Sequence, residues 1–449
     1  MSTIVAISTP RGRGALGIIR LSGSHALSIA ALISGMQSEI EPRHPKLVTL
    51  RDDHHSEIID QALVTYFKAP QSVTGEDVIE LSCHGSPVVL RRIIDLTLSL
   101  GARLAGPGEF TLRALSNGKV NLAQAEAIRD LISSQTEAAA RQAARQLHGE
   151  LATALEPFKR KLIDVIVLLE SALEFVEDDL PLPQVKGIEE SLALVGDNIE
   201  RLAGSYDAGH LLQDGVKLAI VGSPNVGKSS LFNRLLERER AIVSDVPGTT
   251  RDTLSEPVDI EGIPVLLTDT AGMRVTADGI ESLGIKRTHR AMGDADLVVV
   301  VLDGSVQLSS DDLTMLTSSQ VGRRILVLNK CDLPAYQGGS DESWSGEAIR
   351  VSALTGEGLD KLRSTILETF DTTTMESGNL LVTNARHHDL LRHAQAELKV
   401  AEHLLHDHKS EELVVEPLHN ALRFLGEITG ETTSENILSQ IFATFCIGK

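Results

Sequence analysis

The stretch Gly222-Ser223-Pro224-Asn225-Val226-Gly227-Lys228-Ser229 decides the predicted fold of the region around it. An apolar run at 216–221 precedes it, and a helix-like pattern at 230–236 follows it. A strand that passes through a glycine-bounded loop into a helix is the context of a phosphate-binding loop. Backbone N–H groups and the helix N-terminus then face the phosphates, Lys228 reaches the outer phosphates, and the Ser229 hydroxyl ligates Mg²⁺. The nucleotide-binding residues predicted in this loop are Gly222, Asn225, Val226, Gly227, Lys228, Ser229 and Ser230.

Length and charge place limits on the class of protein. The chain has 449 residues, enough for about three domains. Its formal net charge of −20 argues against general affinity for nucleic acids. Residues 1–119 hold 12 Lys and Arg against 11 Asp and Glu, so they carry +1 and the remainder carries −21. An anionic partner is therefore expected to meet the N-terminal part.

The cysteines and the hydropathy pattern predict a cytoplasmic protein. The three cysteines are scattered and lack CxxC spacing, which favours a reducing compartment over a disulfide framework. No signal peptide and no apolar run long enough to insert into a bilayer is found in the sequence. The cysteines are Cys83, Cys331 and Cys446.

The chain divides into four predicted parts. Residues 1–119 mix strand-like runs with short helices, as in an α+β domain. Residues 120–213 and 377–449 have helical periodicity and flank an α/β block at 214–376. The economical arrangement is one helical domain into which the α/β block is inserted. Helical patterns cover 122–147, 161–176, 188–212, 384–408 and 416–445, and the strands predicted in the block are 216–221, 257–260, 264–268, 297–302, 324–328 and 349–352.

Four more motifs follow the phosphate loop in order, each at or beyond a strand end, where ligands of parallel sheets bind. The segment 248–252 can close over the γ-phosphate and offer a Thr hydroxyl to Mg²⁺, and 269–272 suits the Mg²⁺ shell and the γ-phosphate. In 329–332, Asp332 selects guanine, Asn329 reaches N7 and Lys330 packs along the ring. A backbone N–H in 352–354 bonds the guanine O6. These motifs predict a guanine-nucleotide domain with the further binding residues Ser244, Gly248, Thr249, Asp269, Thr270, Ala271, Gly272, Asn329, Lys330, Asp332, Ser352, Ala353 and Leu354.

The position after Gly272 departs from Ras-type GTPases, which place a water-orienting glutamine there. Here the residue is Met273, which cannot polarise water. Asn225 and the carbonyls of the 244–249 loop could instead hold a potassium ion in the role of an arginine finger, while Arg251 and Arg274 are alternative sources of positive charge. The nearest downstream carboxylate able to orient water is Glu281. The predicted catalytic residues are Glu281, Asn225 and Lys228.

Two charged residues lie within apolar strands of the N-terminal part. Arg20 and Glu80 each need a partner or a ligand if they are buried. The simpler interpretation is that each of them is solvated or paired.

Taken together, the motifs resemble the MnmE (TrmE) family of tRNA-modifying GTPases over essentially the whole chain. The final Phe445-Cys446-Ile447-Gly448-Lys449 looks like the terminal signature of that family. The segments 74–77, 106–110 and 121–127 look like its N-terminal motifs. A generic ribosome-assembly GTPase would share the nucleotide motifs but not these segments.

The resemblance implies a Ras-like domain inserted in a helical domain, preceded by a folate-binding domain that forms a homodimer. It also implies a partner flavoprotein, MnmG (GidA), which carries the FAD. The two proteins form a hetero-oligomer and modify C5 of the tRNA wobble uridine with an aminomethyl or carboxymethylaminomethyl group. The one-carbon unit is attributed to 5-formyl-tetrahydrofolate or a related tetrahydrofolate, and GTP hydrolysis to docking and separation of the two G domains.

Family roles carry over to positions that match its motifs. Mg²⁺ is matched by Ser229 and Thr250, and water orientation by Glu281. The folate-contacting positions are Arg20, Glu80, Lys119 and Lys449, and the potassium ligands are Asn225, Ser244, Val246 and Thr249. Carboxylates of a folate suit Arg20 and Lys119, while Glu80 can accept from the pterin donors.

Rival interpretations remain open on sequence alone. One is a switch GTPase of ribosome assembly or stress response without modification activity, and another is a folate enzyme with a regulatory G domain. Cys446 is either a catalytic thiol or a buried small side chain, and Cys331 is a spacer beside the base. The six histidines of 387–408 are expected to be solvated or interhelical instead of metal ligands.

Overall fold

The structure is a computed structural model that describes residues 2–36, 40–52, 57–174, 182–238, 255–269, 292–318, 323–335, 348–370, 380–431 and 435–448. The chain forms two compact units. The first comprises residues 1–129, 146–153 and 426–449, and the second comprises 130–145 and 154–425. Together they give a multidomain protein with an α+β N-terminal domain, a helical domain and an α/β domain of the P-loop type, as predicted.

The first unit is built on a six-stranded sheet in the order β3-β4-β5-β2-β1-β6. Neighbouring strands are antiparallel except for β1 and β6. The strands are β1 (Ile4–Ile7), β2 (Leu16–Ser22), β3 (Lys46–Asp52), β4 (Glu57–Phe67), β5 (Val78–His84) and β6 (Arg103–Leu104). Strands β3 and β6 were not predicted, because β3 buries only Val48 and Leu50 among mostly polar residues and β6 has only two residues.

Helices α1 (Ala26–Ser34) and α2 (Pro87–Ser99) share one apolar core with this sheet. Helix α3 (Glu109–Ser116) buries Phe110 in a second cluster with residues of β1. The C-terminal helix α14 (Glu435–Ala443) also belongs to this unit, and Phe442 and Phe445 pack in a cluster with Leu122. Residues 426–448 therefore pack with the N-terminal part, although the sequence pattern groups them with the helical domain.

The remaining helices are longer than their sequence signals or are divided differently. They are α4 (Leu122–Ser133), α5 (Glu137–Leu147), α6 (Glu150–Glu174), α7 (Leu182–Gly204), α8 (Tyr206–Asp214), α12 (Ala385–His406) and α13 (Glu411–Thr429). Helix α6 runs through Pro157, so the predicted start at 161 is too late. The pattern at 188–212 is two helices that meet at Ser205, and the pattern at 416–445 is also two. Helices α7 and α12 pack against each other.

The α/β part of the second unit contains a six-stranded sheet in the order β12-β11-β10-β7-β9-β8. All neighbours are parallel except β8 and β9. The elements are β7 (Val216–Val221), α9 (Lys228–Arg238), β8 (Ser255–Ile260), β9 (Ile263–Asp269), β10 (Leu297–Asp303), α10 (Ser310–Ser318), β11 (Arg324–Asn329), β12 (Ile349–Arg350) and α11 (Leu359–Glu368). The strand predictions are confirmed to within a few residues, because a sheet buried on both faces reads as near-continuous apolar runs.

The chain enters and leaves the α/β part at neighbouring points. Helix α8 leads directly into β7, and residues 381–384 precede α12. The Val382 N–H donates to Ser205 Oγ at 3.0 Å, and a Cβ placed on Gly209 would lie 2.2 Å from the Val382 carbonyl oxygen. Gln142 of α5 donates to the Leu381 carbonyl at 2.8 Å. These buried contacts hold the two connections side by side.

Candidate functional site

The phosphate loop lies between β7 and α9, and its backbone needs unusual conformations at three positions. Gly222 has φ +153°, and a Cβ there would lie 2.2 Å from the Val301 carbonyl oxygen. Gly227 has φ +96°, and its Cβ would lie 2.2 Å from Asn329 Nδ2. Asn225 has φ +66°, a left-handed conformation that asparagine tolerates better than most residues. The sequence therefore supplies glycine or asparagine wherever the loop turns sharply.

Lys228 begins α9 and turns back over the loop. Its Nζ donates to the carbonyls of Gly222 and Ser223 at 2.8 Å each, and the residue is only 8% exposed. Ser229 and Ser230 follow on the exposed side of the first turn. This places a charged donor and hydroxyl groups at a helix N-terminus, which is the arrangement expected around phosphates and their metal ion.

Asn329 joins the phosphate loop to the loop after β12. Its Nδ2 donates to the Val226 carbonyl at 2.8 Å, and its Oδ1 accepts from the Ala353 N–H at 3.0 Å. The side chain is 1% exposed, so both groups are satisfied within the protein. The sequence interpretation gave Asn329 a contact with N7 of the base and a backbone N–H of 352–354 a contact with O6. In this structure Asn329 bonds the Ala353 N–H and acts as a brace between the two loops.

Two carboxylates order the remaining guanine-motif residues. Lys330 has φ +66° and its Nζ lies 2.5 Å from Asp303 Oδ2. Burial raises the pKa of Asp303, but hydrogen bonds from Lys330 and Ser305 outweigh burial and lower the pKa below its usual value. Asp332 Oδ1 accepts from Ser352 Oγ at 2.6 Å. Leu354 beyond it is 77% exposed.

Several predicted residues lie outside the described residues. They are Ser244, Val246, Gly248, Thr249, Thr250, Thr270, Ala271, Gly272, Glu281 and Lys449, together with Arg251, Met273 and Arg274. Asp269 ends β9, so its backbone reaches the carboxyl end of the sheet beside the phosphate loop strand β7. The structure thus brings together the phosphate-loop residues of 222–230 and the guanine-motif residues of 329–332 and 352–354.

Comparison with known proteins covers both units. A family profile described as GTP-binding protein TrmE N-terminus matches residues 3–119, and the MnmE helical domain profile matches 122–446. The chain belongs to the MnmE family. A relative in Koribacter versatilis, named tRNA modification GTPase MnmE, is 44% identical over 100% of this chain and 99% of its own length. One of the same name in Aquifex aeolicus is 43% identical over 99% of each chain. As a member of this family the protein is a GTP hydrolase.

The family motifs of the N-terminal part meet at one buried arginine. Arg113 donates to Glu76 at 2.7 Å and to Glu109 at 2.9 Å, and its side chain is 4% exposed. Burial raises the pKa of Glu109, but hydrogen bonds from Arg103, the Gly106 N–H and Arg113 lower it to about 2. Arg113 therefore joins the motifs at 74–77 and 106–110 through ion pairs, a structural role that the sequence pattern did not predict.

Residues 445–448 of the terminal motif pack beside the motif at 106–110. A Cβ on Gly108 would lie 2.8 Å from Phe442 and 2.9 Å from Phe445. The Gly108 N–H donates to the Cys446 carbonyl at 3.3 Å, and Ser8 Oγ donates to the Gly448 carbonyl at 3.0 Å. The interpretation of Cys446 as buried is wrong, because the residue is exposed.

Arg20 and Glu80 pair with each other. They are direct partners in the register of β2 and β5, and the Arg20 nitrogens lie 2.8–2.9 Å from Glu80 Oε1. Both side chains keep about a quarter of their surface exposed, and the guanidinium lies 5.7 Å from the centre of the Phe110 ring. Lys119 is exposed and lies beside the turn at Thr74 and Gly75. Among the described residues no hydrogen bond joins Lys119 to this ion pair.

Two of the histidines in 387–408 pack against aromatic rings. His388 stacks on Tyr206 at 4.4 Å and His393 lies 5.2 Å from Phe424, so these two rings pack between helices, as predicted. Within the described ranges no cluster of metal-ligating side chains is found. In the same part of the chain, none of the helices combines the length and the apolar character needed to cross a bilayer.

Proposed function

We propose that this protein is a potassium-dependent GTPase that acts with a flavoprotein of the MnmG (GidA) type to modify C5 of the wobble uridine of tRNA. The added group is aminomethyl or carboxymethylaminomethyl, and a tetrahydrofolate supplies its one-carbon unit. The observation that carries the proposal is that one chain of this family holds both a phosphate loop joined to the guanine motif through Asn329 and a half-buried ion pair between Arg20 and Glu80.

The nucleotide side of the proposal depends on charge in the transition state. GTP hydrolysis spreads negative charge over the transferred phosphoryl group, and a cation positioned beside it stabilises that charge. Asn225 is exposed in the phosphate loop and offers an amide oxygen, a donor suited to K⁺. Backbone oxygens of Ser244, Val246 and Thr249 would complete the ion's shell. Ser229 and Thr250 would ligate Mg²⁺, and Glu281 would orient the attacking water.

The folate side depends on groups that can recognise both ends of the cofactor. Arg20, Lys119 and Lys449 are cations suited to its carboxylates, and Glu80 suits the N–H donors of the pterin ring. Glu80 uses Oε1 for Arg20, and its Oε2 takes no hydrogen bond among the described residues. An acceptor at a half-buried position is thus available to a ligand without breaking the ion pair. The pterin and its one-carbon unit would supply the carbon, while these residues bind and orient the molecule.

The quaternary side of the proposal is that the protein works as a homodimer in the cytoplasm. Its two G domains dock when GTP and K⁺ are bound and separate after hydrolysis. The paired connections at 381–384 and α8 would carry that motion to the helices, since Val382 is held directly by Ser205 of the segment that leads into β7.

The experiment that tests the hydrolytic mechanism compares GTPase rates in KCl and NaCl at equal ionic strength. We expect the rate to be at least tenfold higher in K⁺ and the Asn225→Ala variant to lose the difference while still binding GDP. Equal rates in the two salts would overturn the cation mechanism. A switch GTPase of ribosome assembly remains the second candidate, and unchanged wobble uridines in cells lacking the protein would favour it.

A further inference from the structure

A buried carboxylate outside the nucleotide motifs contacts the phosphate loop. Asp312 lies in the first turn of α10 and is 7% exposed. Its Oδ1 accepts from Ser223 Oγ at 2.5 Å. Its Oδ2 accepts from the backbone N–H of Ser309 at 2.9 Å and from Ser309 Oγ at 2.8 Å. One carboxylate oxygen therefore bonds Ser309 at the N-terminus of α10, and the other bonds Ser223 of the phosphate loop.

The second end of Ser223 reaches the phosphate-binding lysine. The Ser223 carbonyl accepts from Lys228 Nζ at 2.8 Å, next to the Gly222 carbonyl that does the same. A continuous path thus runs from Asp312 through the hydroxyl and carbonyl of Ser223 to the ammonium group. Because the glycines flanking this stretch of loop leave its backbone conformationally free, a fixed side-chain anchor restricts where the two carbonyls lie.

We propose that Asp312 is a positioning residue for GTP binding and hydrolysis, which holds Ser223 so that its carbonyl fixes the Lys228 ammonium. Asp312 touches no nucleotide in this account and acts through Ser223. Its charge state fits the role. Burial raises the pKa of Asp312, but hydrogen bonds from Ser223 and Ser309 outweigh burial and lower it, so the group is an ionised acceptor at neutral pH.

The discriminating variant is Ser223→Ala, which removes only the hydroxyl that Asp312 binds. We expect the dissociation constants of GTP and GDP for the full-length protein to rise about tenfold, the scale of one lost hydrogen bond to a charged group. The matched control is Ser309→Ala, which removes a hydroxyl from the other oxygen of the same carboxylate. Ser309→Ala should lower the midpoint temperature of thermal unfolding without changing the dissociation constant of GTP or GDP by more than twofold.

A double-mutant cycle separates positioning from general stability. Ser223→Ala and Asp312→Asn should be non-additive, with the double variant binding GDP no more weakly than the worse single variant. Additive losses, or equal weakening by Ser309→Ala, would show that Asp312 acts only by capping α10. Nucleotide affinity of Ser223→Ala within twofold of the wild type would also overturn the proposal. The readout is nucleotide binding itself, so it does not depend on the tRNA reaction.

Discussion

The phosphate loop of the second unit and the Arg20–Glu80 pair of the first are built in opposite ways. The phosphate loop is made mostly of backbone, and its shape depends on φ values that few residue types adopt. The ion pair is made of side chains from two strands that lie 60 residues apart in the chain. A backbone site is therefore specified by a short continuous stretch, whereas a side-chain site is specified by strand register.

The largest effect is expected when a side chain is added at Gly222, where the phosphate loop has no room for one. In Gly222→Ala the new Cβ would lie 2.2 Å from the Val301 carbonyl oxygen at φ +153°. We expect GDP affinity to fall by about 100-fold or more, since relieving this overlap must displace the loop by an amount costing about 3 kcal/mol. Isothermal titration with GDP measures it. The control is Gly293→Ala, whose Cβ has nothing within 4 Å, and an equal loss there would mean that the loop geometry is not the cause.

This contrast explains how much could be predicted from sequence. The order Gly222, Asn225, Gly227 and Lys228 is readable because each residue type answers a local backbone need. The parallel strands were readable because burial on both faces leaves apolar runs. Pairing of Arg20 with Glu80 was left open because periodicity gives the faces of a strand but not its neighbour or its register.

Longer-range contacts escaped sequence analysis for the same reason. Arg113 has a local partner in Glu109, four residues before it in α3, but only the fold brings Glu76 to it. Asp312 carried one local signal, the Ser309-x-x-Asp312 pattern of a helix cap, which does not reveal that its second oxygen holds the phosphate loop. The break of α8 from α7 at Ser205 was missed because the helical period continues across it.

The side-chain site is tested by Glu80→Gln. The neutral amide keeps the volume but weakens both the pair with Arg20 and the acceptor offered to a pterin, so affinity for 5-formyl-tetrahydrofolate should fall about tenfold or more. Equilibrium binding to the full-length protein measures it, and GTP hydrolysis in K⁺ should be unchanged. The matched control is Asp95→Asn, which breaks the exposed pair with Arg91. Unchanged folate affinity in Glu80→Gln would refute the assignment.

The ion pairs of Arg113 with Glu76 and Glu109 should make the stability of the protein depend on pH. Glu109 has its pKa lowered from 4.5 to about 2, so its contribution to stability is present above pH 4.5 and is lost as the pH falls toward 2. Glu109→Gln should lower the urea midpoint at pH 7, and the difference from wild type should shrink below pH 4.5. Glu57→Gln, at an exposed partner of Arg92, is the control. A difference in urea midpoint that does not vary with pH would contradict the claim that ionised Glu109 stabilises the fold.

The smallest effect concerns the thiols. Burial and the charge of Asp60 raise the pKa of Cys83 to about 12, whereas Cys446 is exposed. Iodoacetamide at pH 8 should therefore label Cys446 well before Cys83, as peptide mass analysis can show, because only an accessible thiolate reacts. Faster labelling of Cys83 would contradict the packing of β5 in the first unit.

The central claim is that the backbone site and the side-chain site serve one reaction on tRNA. Mass analysis of wobble uridines from cells lacking this protein, complemented with wild type, Gly222→Ala or Glu80→Gln, tests it most directly. The account predicts that wild type restores the aminomethyl-type group at C5 and that each variant restores markedly less of it. Full modification in the cells that lack the protein, or in cells carrying either variant, would contradict the claim.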